Sequence, residues 1–430
     1  MASPHNSPPT PDAGLPPVQP PSATMMFRLF LIPFLIVAVL VGLYLVGQTL
    51  YGKLGRSRSP EKVLRDLDNA NADIRWRAAA DLSQELPRSP ELASDAWFAL
   101  ELANRLNTAM LESAAAEKAF AATADSLTPA DRTAKLNKDL EPRRNLIIYL
   151  GACLGNFVVP VSVPLLKRMA GQTTDMEPVA LAESRRRALF ALAAQGENLK
   201  KYDALGDDEK DRIEDQLSEG KTVWARQCLD YLKARRAGKA DSAGVIPLLE
   251  KCAAEDDPSL RMLAAFTANF WKGTATEEAV AEKFLATLSR DAGTGEQTRV
   301  EWLRKNPDTK DSRPITKKPG YEVQVNANIA LARRGSPLVR LDLLEEMLDP
   351  EALSKVFLLQ TPDGKEVVNE TLVSVTLLGT LRAISELSKL RPEFRPKVET
   401  LLPRIEALAT GSNREVSAEA KKTLGVVRGE

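Results

Sequence analysis

A chain of 430 residues is long enough for several compact cores or for one extended array of repeats. Its 58 Lys and Arg balance 58 Asp and Glu, so no global basic field draws it onto nucleic acid. One histidine and three cysteines without a CxxC pair exclude a zinc motif, a disulfide framework and chemistry built on a positioned imidazole.

Residues 1–24 hold eight prolines spaced by Ser, Thr and Asn. Such a stretch cannot bury a core, and a disordered or polyproline-like tail is expected. From Leu29 to Val46 there are 18 residues without a charge, and the apolar run continues to Leu50. At a rise of ~1.5 Å per residue this run matches the thickness of a bilayer core, so residues 25–50 are expected to form a transmembrane helix. Tyr44 and Tyr51 fall where amphipathic rings favour the membrane interface. No small-residue cleavage site follows before Lys53, which favours an uncleaved anchor over a signal peptide. Lys53, Arg56, Arg58, Lys62 and Arg65 crowd the far flank, whereas no Lys or Arg precedes Arg28. The excess of positive charge predicts that the large remainder lies in the cytoplasm, as part of a single-pass membrane protein.

Beyond Gly55 the pattern is helix after helix. Aromatics are only 5% of the chain, and close packing through Ala and Leu suits helices better than a sandwich or barrel. Helix starts are predicted at Ser59-Pro60, Ser89-Pro90, Thr128-Pro129, Ser336-Pro337 and Asp349-Pro350, where a polar cap precedes a proline suited to the first turn. A recurring piece opens with an acidic or amide residue, often followed by Arg and then an apolar stripe. It begins at Asp73, Glu141, Glu183, Asp257, Glu322 and Asn413. A second piece, with an early proline, precedes several of these: Val163-Pro164-Leu165, Ile246-Pro247-Leu248 and Leu402-Pro403. The predicted unit is therefore a helix pair, A then B. Intervals of 42, 40 and 35 residues separate Arg144, Arg186, Arg226 and Arg261. Those between Gln324, Thr371 and Val416 are 47 and 45. The 63 residues from Arg261 to Gln324 imply an insertion, placed at residues 291–321. A second insertion, 356–368, reads as a hairpin around Pro362-Asp363-Gly364.

On these repeated residues and their spacing, residues 59–428 resemble the HEAT superfamily, especially the degenerate bacterial repeats also present in phycobiliprotein lyases. The segments 222–236 and 370–390 depart most from the pattern. The resemblance implies an all-α fold, a right-handed α-solenoid whose long surface binds a protein partner.

Gly293-Thr294-Gly295 lacks the strand, third glycine and helix of a dinucleotide site, and no phosphate loop or calcium-loop spacing occurs. The acidic groups at Asp207 and Asp256 suit helix capping, and Cys153, Cys228 and Cys252 have no histidine to activate them. The expectation is a non-catalytic scaffold or adaptor with no cofactor, no metal, no small-molecule substrate and no nucleic acid. Its partner is an unspecified protein, and its membrane contact is the helix from Leu29 to Leu50. The alternatives are an extracytoplasmic envelope-binding module of the same fold and a lyase-like or chaperone-like protein. Arg143, Arg144, Arg185, Arg186, Arg187, Arg333 and Arg334 are candidate partner-binding residues. Stacked units would align them into a basic ladder for acidic segments or lipid phosphates, or they pair with acids at neighbouring helix starts such as Asp73 and Asp257. Trp302, in the first insertion, is either a partner anchor or a plug against the array.

Overall fold

The computed structural model describes residues 60–172, 178–293, 313–361 and 363–429. The Pro-rich tail, the expected membrane span at 25–50 and Trp302 lie outside the described residues. Among the described residues no helix is long and apolar enough to cross a membrane.

The described residues are built almost wholly from helices. The first are α1 (Pro60–Leu67), α2 (Ala72–Glu85), the single turn α3 (Pro90–Ala93) and the long α4 (Ala96–Ala124). A short α5 (Pro129–Lys135) passes through a π turn into α6 (Glu141–Gly155). Then come α7 (Val163–Ala170), α8 (Pro178–Asp203), α9 (Asp207–Glu219), α10 (Val223–Arg236), α11 (Val245–Ala253), α12 (Pro258–Ala268) and α13 (Ala275–Leu288). After strand β1 (Arg313–Thr316) follow α14 (Tyr321–Arg333), α15 (Leu341–Met347) and α16 (Pro350–Val356). Strands β2 (Phe357–Gln360) and β3 (Glu366–Val368) precede α17 (Glu370–Leu390), α18 (Arg395–Val398), α19 (Leu402–Ala409) and α20 (Arg414–Arg428).

Local chemistry sets most of these boundaries. Thr128, Asp257, Asp349 and Asn413 each accept hydrogen bonds from backbone N–H groups in the first turn of the helix they precede. Thr274 and Glu277 close a reciprocal capping box on α13. Ser336-Pro337 behaves otherwise: the Ser336 hydroxyl accepts from the Leu338 N–H in a turn, and the helix waits until Leu341. Glu183 likewise does not start a helix, because α8 has already begun at Pro178.

Packing sorts the helices into two layers. Helices α2, α6, α8, α12, α14, α17 and α20 form one row, each against the next. Helices α1, α4, α7, α11, α13, α16 and α19 back this row from the other side. The segment 222–236, expected to be a member of the row, is not one. α8 packs directly on α12, while α9 and α10 form a hairpin set against α4.

Along the row, side chains of one helix repeatedly donate to backbone carbonyls of the helix before it. The Cys153 thiol reaches Ala79 O at 3.3 Å, the Thr267 hydroxyl Leu189 O at 3.1 Å, and the Thr423 hydroxyl Leu381 O at 3.2 Å. The Trp271 indole, fully buried, donates to Leu192 O at 2.7 Å. Gly196 makes room for that indole, since a Cβ there would stand 2.7 Å from Trp271 Nε1.

The second insertion is more than a hairpin. β2 pairs antiparallel with β3, and on its other edge with β1, in the register Arg313↔Gln360 to Thr316↔Phe357. The end of the first insertion thus pairs with the second, in a three-stranded sheet too small to change the all-helical class. Gly364 turns the hairpin at φ +81°, a conformation that other residues adopt only at a cost.

Candidate functional site

The arginines singled out in the sequence lie on three helices of the row, near the start of α6, on α8 and at the end of α14, but most are held by partners within the chain. Arg144 Nε donates to Glu117 on α4 at 3.0 Å, and Arg143 lies 3.6 Å from Glu112 on the same helix, which also pairs with Arg75. Buried Arg185 donates to Ala170 O at 2.8 Å and to Glu255 at 2.6 Å. Arg186 and Arg187 both reach back to Glu183 on their own helix. Arg334, only 3% exposed, pairs with Glu278 and donates to Ala268 O at 2.7 Å and to Trp271 O. Arg333 lies over the Phe270 ring at 6.0 Å.

Three of the row helices share a logic, seen first at Arg185: a side chain early in the helix ties off a carbonyl at the end of the backing helix before it or an acid after the backing helix of the next pair. Arg261 shows both, with Glu255 O and Asp256 O at 2.9 Å and Asp291 at 2.6 Å. Gln324 continues the series by donating to Asp291 O at 2.6 Å. A guanidinium offers five donors in a rigid fork, which suits it to collecting several acceptors at once. The acids differ from the pair named in the sequence: Asp73 accepts from the Trp76 indole, and Asp257 caps α12. Of the candidate arginines in the described residues, Arg187 is the most open, with a side chain 55% exposed.

Partly exposed aromatic rings also lie along the row. Trp76 on α2 stacks on Tyr149 on α6, with ring centroids 6.0 Å apart, and Arg77 lies over the indole at 5.5 Å. Further along, half-exposed Phe190 on α8 meets Phe266 on α12 edge-on at 5.9 Å, and Phe266 meets Phe270 at 5.2 Å. Arg333 on α14 ends this second run. Each ring completes a contact between two successive helices and leaves part of its surface in water. Sequence reading missed these residues. The available signal was Tyr149, Phe190 and Phe266, four or five residues after Arg144, Arg186 and Arg261, with Trp76 off that register.

A groove of about 490 Å³ lies between α7, α10 and residues 239–243. Burial lowers the pKa of Lys167 on its wall, with nearby Asp241 opposing, and Lys167 Nζ donates to Ala243 O at 2.5 Å. Ala243 has φ +52°, unusual for a residue with a Cβ. Ser242 is locked to Glu277 by its hydroxyl and its N–H. The lysine thus fastens the strained loop that leads into α11. Burial pushes the thiols of Cys153, Cys228 and Cys252 up, away from the reactive thiolate. Among the described residues no cluster of His, Cys, Asp and Glu is arranged to hold a metal ion. No protein-family model matches this chain, and no curated protein does.

Proposed function

We propose that this chain is a membrane-tethered, non-catalytic scaffold. Residues 25–50 cross the bilayer, and the remainder forms a HEAT-like α-solenoid in the cytoplasm that recruits a protein through the solvent side of its helix row. The observation that carries the reading is the aromatic stripe: rings held rigid by contacts between successive helices, yet partly open to water, are what binding hot spots are made of. The paired arginines and inert thiols support it, because they leave the row without an evident reacting group.

A photo-crosslinking residue at Phe190 in the full-length protein, irradiated in its native membrane, tests the idea. A discrete, reproducible adduct is expected there, and none from the exposed Lys421 on α20. Equal or absent adduct at both places sinks the proposed binding face.

A further inference from the structure

On the other layer, acidic side chains gather around a groove. Between the start of α4 and the α9–α10 hairpin run two adjoining hollows of about 440 and about 570 Å³, both lined by Gln216. Glu91, Asp95 and Glu209 line the first, Glu101 and Glu219 the second, against only Arg212 and Lys221. Asp95 caps α4 and Glu101 is paired with Arg105 at 2.7 Å. Glu91, Glu209 and Glu219 make no ion pair among the described residues.

An aromatic anchor stands in the same groove. Phe98 turns into the core against Phe157, and its neighbour Trp97, about 100° round the helix, is left 45% exposed in the groove wall. The opposite wall is fixed in place. The Trp224 indole donates to Asn104 on α4 at 3.1 Å, and a Cβ on Gly220 would stand 2.7 Å from Ala225 Cβ and 3.1 Å from Leu100 Cδ1. Rigid walls spare a ligand the cost of ordering them.

We propose that this groove binds an extended basic segment of a partner protein, with Trp97 under an arginine or lysine side chain and the unpaired carboxylates taking its charges. Charge complementarity favours such an occupant, and a tryptophan face is the best side-chain surface for a cation. Glu209 and Glu219 lie ten residues apart on one helix, roughly 15 Å along its axis. An extended chain rises ~3.3 Å per residue, so two basic residues four or five positions apart span the two ends. The inference goes beyond the scaffold reading, since it uses the layer opposite the aromatic stripe.

Fluorescence anisotropy of the full-length protein in detergent decides it, with labelled Gly/Ser decapeptides carrying two arginines either five positions apart or adjacent. The spaced peptide is expected to bind more tightly than the adjacent one. Trp97→Ala should weaken it about fivefold, and Glu209→Lys with Glu219→Lys about tenfold, with thermal melting unchanged in both. No binding at low salt, equal binding of the two peptides, or affinity indifferent to these variants overturns the groove. Phe190 crosslinking in the same variants separates the ideas. Peptide failure with the adduct kept removes the groove alone, and loss of the wild-type adduct with peptide binding kept removes the aromatic face alone.

Discussion

Arg334 shows how much of the charge in this chain serves cohesion. Its guanidinium is almost wholly enclosed, and it satisfies two backbone carbonyls as well as Glu278. Arg334→Ala would strand all three acceptors, and a loss of about 2–4 kcal/mol in urea unfolding is expected. Arg187→Ala removes only an exposed pair within one helix and should stay within about 0.5 kcal/mol. Similar losses from both would refute the distinction drawn between them. Gly196→Ala is the steric counterpart: its methyl meets the buried Trp271 indole, and overpacking should cost about 1–3 kcal/mol in the same assay. None of these ranks can be read from the residues alone. Arg186, Arg187 and Arg334 look alike in sequence, and the partner of Arg334 lies 56 residues away.

At the scale of helices and turns, legibility follows the range of the interaction. Caps were readable because donor and acceptor lie within three residues, as at Thr128 and Asp349. The hairpin turn was readable from its own residues, but pairing of β2 with β1 was not, since β1 is distant in the chain and rich in polar neighbours. The α9–α10 hairpin misled for a physical reason. It has the amphipathic period and length of a repeat, and a period says nothing about which neighbour receives the apolar face.

Asp349 carries a pH consequence. Burial pushes its carboxyl up, but the N–H groups of Ala352 and Glu351 and the Arg404 guanidinium together hold it below its ordinary value. A depressed folded pKa stabilises the fold above the unfolded pKa of about 3.9, and the contribution disappears as pH falls through the folded value. Asp349→Asn keeps the cap and removes the charge. It should therefore lower the urea midpoint at pH 7, and the gap to wild type should begin to close only as pH falls below about 4. A gap that persists unchanged at pH 3 would contradict the assignment.

For the molecule as a whole, the proposed topology rests on the basic flank after Leu50 and on the absence of Lys and Arg before Arg28. A fluorescent protein fused after Glu430 should fold and glow in cells, whereas an alkaline phosphatase fused there should stay inactive; the reverse pattern places the array on the other side.

The helix row has a mechanical consequence. Its members touch successive neighbours, so load enters the array one contact at a time. A pull at Pro60 is first opposed by the short α1, which holds on through Val63, Leu64 and Leu67. Were the proposed tether to pull on it, such a stack would yield stepwise from the loaded end, in the manner of a zip, while distant helices keep their shape.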